Sequence, residues 1–151
     1  MLRLMILPQI KILAVGKVKE SCILEGMHEY LKRMKGRIEI VEIKDSTKEK
    51  ESIEITRKLE KLDRFLTVAL DEHGKEMTSL EFSEFIKNNF NKNLCFIVGG
   101  PDGLDKSILE GVDHTLALSR MTFTHEMARL LLVEQLYRAF SIIDGKKYHR
   151  G

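Results

Sequence analysis

Short apolar runs alternate with longer stretches in which apolar residues return every three or four positions, and this alternation organises the whole chain. IKILAVG, Ile10 to Gly16, reads as a strand closed by a glycine, after which Ile23, Met27, Tyr30, Leu31 and Met34 recur at helical spacing. IEIVEI, Ile38 to Ile43, alternates with period two, as a half-buried strand does. Ser46 or Thr47 caps the following helix, whose apolar face carries Ile55, Leu59 and Leu62. FLTVAL, Phe65 to Leu70, predicts a third strand, and Thr78 with Glu81 forms a capping-box pattern that opens a helix to about Asn88. LCFIV, Leu94 to Val98, is almost continuously apolar, the signature of a strand covered on both faces. Asp105 caps a short helix to about Val112, His114 to Leu118 predicts a fifth strand, and Thr124 opens a long helix to about Ile143. Strict alternation of strand and helix implies an α/β fold: a mostly parallel sheet with helices on both faces, in one domain over residues 1–151.

In such a sheet, ligands bind beyond the carboxyl ends of the strands. Three strand ends stand out: Leu70-Asp71-Glu72-His73-Gly74, Gly99-Gly100-Pro101-Asp102-Gly103, and Leu118-Ser119-Arg120-Met121-Thr122-Phe123-Thr124. The paired glycines have two readings, a close approach of ligand to backbone or a tight turn. Neither Walker A nor GxGxxG spacing is present, so a phosphate cradle is disfavoured. Backbone groups beside an apolar wall of Leu70, Leu118, Met121 and Phe123 suit an adenosine-like molecule. Ser119 and Thr122 lack a nucleophile elbow and read as loop or ligand hydrogen-bonding groups. His125-Glu126 begins a zinc-type motif, but Arg129 stands where its second histidine belongs, so no metal site is expected.

In the last helix Leu130, Leu131, Leu132 and Val133 are consecutive and point to every side. Either the helix is central to one monomer or a second chain covers one flank. Arg129, Glu134, Gln135, Tyr137 and Arg138 interrupt this surface. Glu134 and Arg138 have the i, i+4 order that favours an ion pair, and Arg129 stays open for site or dimer contacts. The tail, Lys146 to Arg150, combines cations, an aromatic ring and an imidazole, the groups that unpaired RNA bases and phosphates need.

Composition narrows the classes further. The chain is 151 residues long, 43% hydrophobic and 32% charged, the balance of a globular protein. No apolar run reaches the roughly 18 residues that cross a bilayer. The start, MLRLMILPQIKIL, lacks a small-residue cleavage site, so a cytoplasmic location and no membrane partner are expected. Two cysteines, Cys22 and Cys95, are far apart, and Cys95 sits in an apolar run as a small hydrophobe would. A net charge of +2 is small for a protein that grips bare RNA.

ILAVGK near the start, EYLKR in the first helix, FIVGGPDGL, and LSRMTFTHEMARLLLVEQLYRAF leading to the terminal YHR together resemble the RlmH family of SPOUT-class methyltransferases. The likeness spans nearly the whole chain. It implies a SPOUT fold with a C-terminal trefoil knot, a homodimer, and S-adenosyl-L-methionine as methyl donor. The implied reaction is methylation of ring nitrogen 3 of a pseudouridine in 23S rRNA of the ribosome or its large subunit. By resemblance, cofactor contacts fall on Leu70, Gly99, Leu118, Ser119, Arg120, Met121, Thr122 and Phe123, at the three strand ends found above. Tyr148, His149, Arg150 and Arg138 become candidate RNA contacts. His149 is the candidate base or orienter, and Arg129 the candidate catalytic anion contact. The family usually has proline where this chain has Thr124, which can itself cap the helix. Residues 1–9 form an early extension. A SPOUT enzyme acting on another RNA such as tRNA, and an RNA-binding assembly factor without activity, are the competing readings. A generic nucleotide-binding domain is weakened by the missing phosphate-loop spacing.

Overall fold

The computed structural model describes residues 9–151, so the amino-terminal extension lies largely outside the described residues. Ten elements alternate as the apolar pattern implies: β1 (Ile10–Val15), α1 (Ser21–Arg33), β2 (Ile38–Ile43), α2 (Lys48–Glu60), β3 (Phe65–Glu76), α3 (Ser79–Asn88), β4 (Asn93–Val98), α4 (Lys106–Gly111), β5 (His114–Ala117) and α5 (His125–Ile143). All strand pairings are parallel, in the order β2-β1-β4-β3-β5. Caps define the helix starts. Thr47, Thr78, Asp105 and Thr124 each accept a backbone N–H in the first turn, and Thr78 with Glu81 completes a reciprocal capping box. Of the two residues that the sequence left open at the α2 start, Thr47 is the cap.

The chain steps toward β2 through α1 and back toward β1 through α3, whereas α2 and α4 carry it the other way. Right-handed crossovers place connections in one direction on one face. Accordingly α1 and α3 share a core with α5 around Ile12, Phe96, Leu132 and Leu136, and α2 and α4 bury Leu13, Ile55, Ile97 and Ile108 on the opposite face. The central strands β1 and β4 are buried on both sides, which explains the unbroken apolar run of β4.

Two expectations change. β3 does not end at Leu70: it bulges out through residues 71–74 and returns to pair Lys75 and Glu76 with β5. Gly74 permits the return, because a Cβ there would lie 2.8 Å from the backbone of Thr115 and Leu116. The second concerns α5, for which the sequence left open a central place in one monomer or a second chain over one flank. α1 and α3 flank it, so Leu132, Val133, Leu136, Ala139 and Phe140 are buried within one chain. One flank stays open, with Met127 38% exposed and Leu130 and Leu131 half-buried. Among the described residues no helix is long and apolar enough to cross a membrane.

Candidate active site

The three strand ends converge on one cleft of about 1010 Å³ at the carboxyl edge of the sheet. Leu70, Gly99, Leu118, Ser119, Met121, Thr122 and Phe123 all line it, together with Val98, Leu104 and Leu109 as apolar floor. Arg120 does not line it; its side chain points out beside Glu76, with Nε 3.6 Å from the carboxylate. Among the described residues no backbone group of 119–123 pairs with other backbone, and the Met121 N–H is taken by Ser119 Oγ at 3.0 Å. Met121 is 75% exposed at the rim. Thr122 donates to Glu72, which ties the last loop to the β3 bulge across the cleft.

The glycine pair serves the turn. Gly103 donates to the Gly100 carbonyl at 3.0 Å with φ +76, and a Cβ on Gly99 would lie 2.8 Å from the Gly103 carbonyl carbon. Loop backbone, and not a ligand, occupies that space. Of the two readings of GGPDG, the tight turn is the one the geometry gives, and it shapes one wall of the cleft.

The start of α5 is held by two charges on one side of the cleft. Glu126 accepts the N–H groups of Lys19 and Glu20 at 2.7 and 3.0 Å, chiefly the second of which holds its carboxyl below the usual range. Arg129, a candidate catalytic group from sequence, is 1% exposed. Its guanidinium donates to Glu42 at 2.8 Å and to the carbonyls of Val15 and Gly16 at 3.2 and 2.9 Å. Nε alone has no partner. Arg129 is thus a bolt between α5 and the ends of β1 and β2, turned away from any ligand. Together the two residues clasp the β1–α1 loop by its amides and its carbonyls. The sequence missed Glu126 in this role because its partners lie 106 and 107 residues away.

The tail is elsewhere. The cleft lies at the first turn of α5, while the tail folds back past the helix end onto Glu134, Tyr137 and Arg138, about 9 to 15 Å along the helix from Ala128. Tyr148 donates to Glu134 at 3.1 Å and shares a 3.2 Å hydrogen bond with Tyr30. Its ring meets Tyr137 edge-on, with centroids 4.6 Å apart. Burial and these two hydrogen bonds push its hydroxyl well above the usual tyrosine range. Arg138 donates to Glu134, lies over the Tyr148 ring and contacts His149. The expected Glu134–Arg138 ion pair is present, and hydrogen bonding to Glu134 raises the arginine further. Arg150 is exposed. Hence the structure brings the cofactor candidates together, save Arg120, and gathers Arg138, Tyr148 and His149 in a second cluster against Glu134 and Tyr137, farther along the helix. No group of three His, Cys, Asp or Glu among the described residues is arranged to hold a metal.

The sheet order and the cleft of a bulged strand and two loops at its carboxyl edge can be set beside known proteins. The chain belongs to the SPOUT methyltransferase family, whose profile, described as "Predicted SPOUT methyltransferase", matches residues 8–149. It is 46% identical over 140 residues to the Ribosomal RNA large subunit methyltransferase H of Prochlorococcus marinus (strain NATL2A), covering 93% of this chain and 94% of that protein. The protein of the same name from Synechococcus sp. (strain RCC307) is 42% identical over 143 residues, covering 95% of each. Among solved structures, a probable methylase family protein from Haemophilus influenzae Rd KW20 superposes with a TM-score of 0.63 at 16% identity, covering 95% of this chain and 71% of that one. The SpoU methyltransferase AviRb from Streptomyces viridochromogenes, solved in complex with the cofactor AdoMet, gives 0.53 at 10% identity, over 93% and 60% of the two chains. These structural likenesses bear on the fold.

Proposed function

We propose that the protein methylates large-subunit ribosomal RNA, at ring nitrogen 3 of a pseudouridine in 23S rRNA, with S-adenosyl-L-methionine as donor. The carrying observation is the cleft, where three strand ends supply an apolar floor and a rim of loop backbone unpaired with other backbone. That combination fits an adenosine with an attached apolar chain: backbone groups read the purine edge, and Leu70, Leu118 and Phe123 cover its faces. The cleft is at the large end of ligand-site volumes, leaving room for an acceptor base beside the donor. When bound, the donor supplies an electrophilic methyl group on a sulfonium. The relatives named Ribosomal RNA large subunit methyltransferase H support the acceptor.

The tail cluster packs on α5 beyond the cleft, and His149 does not line the cleft of its own chain in this conformation. A homodimer resolves this: the open flank of α5 packs against a second copy, and the tail of one subunit completes the cleft of the other. We also infer the C-terminal trefoil knot of the family. Arg138, Tyr148, His149 and Arg150 then face the RNA, and the small net charge is matched to an assembled particle, where shape adds to phosphate attraction.

Tritiated methyl transfer to ribosomes from cells lacking the enzyme, followed by nucleotide mapping, tests this reading. Label on nitrogen 3 of one pseudouridine in 23S rRNA is the expected result. Label on tRNA, or none despite S-adenosyl-L-methionine binding, overturns it.

A further inference from the structure

We propose that His149 serves the reaction as a hydrogen-bond donor through Nε2, and that it is not the base that removes the ring proton. The proposal rests on the methylation reading above. Arg138 Nη1 lies 3.1 Å from His149 Nδ1. A guanidinium carries only donors and stays charged. The contact is therefore a hydrogen bond in which Nδ1 keeps its lone pair and accepts. A neutral imidazole has one N–H and one lone pair, so the proton sits on Nε2. With its lone pair engaged by Arg138, the ring presents Nε2–H as a hydrogen-bond donor.

The arginine that sets this tautomer is itself held. Its Nε donates to Glu134 at 3.1 Å, and the guanidinium lies 4.8 Å from the centroid of the Tyr148 ring. Glu134 in turn accepts from Tyr148, whose hydroxyl meets that of Tyr30. The charged and titratable groups of the cluster are thus Glu134, Tyr137 and Arg138 on α5, Tyr30 and Arg33 on α1, and Tyr148 on the tail. None of the contacts made by these groups supplies His149 Nδ1 with an alternative donor. Arg138 is a positioning residue here, and His149 is the group that touches substrate.

A donor is useful in this chemistry. When the ring N–H of a uracil-type base gives its proton to hydroxide, forming water, the remaining negative charge spreads onto the neighbouring carbonyl oxygens. An N–H aimed at one of them stabilises that anion. The nitrogen's electron pair then forms the new bond to the methyl carbon as the sulfonium C–S bond breaks, and the two charges cancel to give methylated base and neutral thioether. Because the ring N–H titrates at about 9, solvent can take the proton without an enzymic base.

Single-turnover methylation of ribosomes from a deletion strain, measured between about pH 6.5 and about pH 9, separates the roles. A donor predicts a rate that climbs about tenfold per pH unit through neutrality and bends over only as the ring N–H itself titrates at about 9, because only the substrate titrates. It also predicts that His149→Gln, whose amide can accept from Arg138 and still donate, keeps the rate within about fivefold, while His149→Ala loses on the order of a hundredfold. A wild-type profile that levels off near neutrality, as a histidine base gives, overturns the proposal. So does His149→Gln as slow as His149→Ala, or His149→Ala as fast as wild type. These three results leave the methyltransferase reading standing; absence of transfer by the wild-type protein overturns both.

Discussion

Arg129 and Glu126 sit one turn apart and use charge in opposite settings. Arg129 is 1% exposed, where an unpaired charge is costly, and its forked donors reach Glu42 and two strand-end carbonyls that a lysine could not satisfy together. Arg129→Met leaves those carbonyls without their donor and is expected to destabilise the fold by about 3 kcal/mol, read as a lower urea midpoint. Arg129→Lys is expected to recover less than half of that loss. Glu126 lies nearer solvent, and its effect shows in pH dependence. Its folded pKa is lowered by the Glu20 and Lys19 N–H groups. A lowered carboxyl contributes stability that is present above the unfolded value of about 4.3 and is lost as pH falls through the folded value. Wild type is thus expected to lose urea resistance below about pH 4 more steeply than Glu126→Gln, whose midpoint at neutral pH is already lower. Equal acid slopes for the two proteins would remove Glu126 from this role.

At the scale of elements, the start of α5 decides how the last loop meets the cleft. Thr124 has φ −61 and ψ 153 and accepts the Met127 N–H at 3.2 Å, so the hydroxyl provides what a cap must. Thr124→Ala is expected to cost about 1 kcal/mol. Thr124→Pro is expected to cost less, because its ring fixes a φ that the backbone already adopts. Thermal melts of the two variants check the order. β3 shows the reverse case, an element whose sequence pattern misled. Apolar residues stop at Leu70, yet pairing resumes at Lys75, because Gly74 lets the chain pass against β5 without a side chain between them. The polar residues 71–73 thereby become cleft wall instead of surface loop.

For the whole molecule, the length of α5 is the controlling dimension. The tail cluster packs on Glu134, Tyr137 and Arg138, so about 15 Å of helix, counted from Ala128 to Arg138, separates it from the cleft of the same chain. If one subunit's tail serves its partner's cleft, two inactive variants can complement each other. A cleft variant, Leu118→Arg, and a chain truncated before Tyr148 are each expected to lose transfer. After mixing and exchange, half the dimers are mixed and hold one intact site, giving about a quarter of wild-type activity. No recovery in a mixture shown to contain mixed dimers would sink the shared-site arrangement.

Element order, caps and fold class were readable because apolar periodicity and first-turn hydroxyls are local: each depends on residues within a turn or a strand of one another. The cleft was readable as three strand ends, because a parallel sheet presents all its carboxyl ends on one edge. The fates of Arg129, Gly99, Glu126 and the tail were not. Arg129 stood open for site or dimer contacts until β1 and β2 supplied its partners, and the two readings of Gly99 stayed open until Gly103 closed against it. The sequence by itself determined which segments are strand and helix and where a ligand would lie. Tertiary structure alone decided which polar side chains stay accessible, since the partners that bury Arg129 and hold Glu126 lie 87 to 114 positions away and the tail must fold back onto α5 to meet its own.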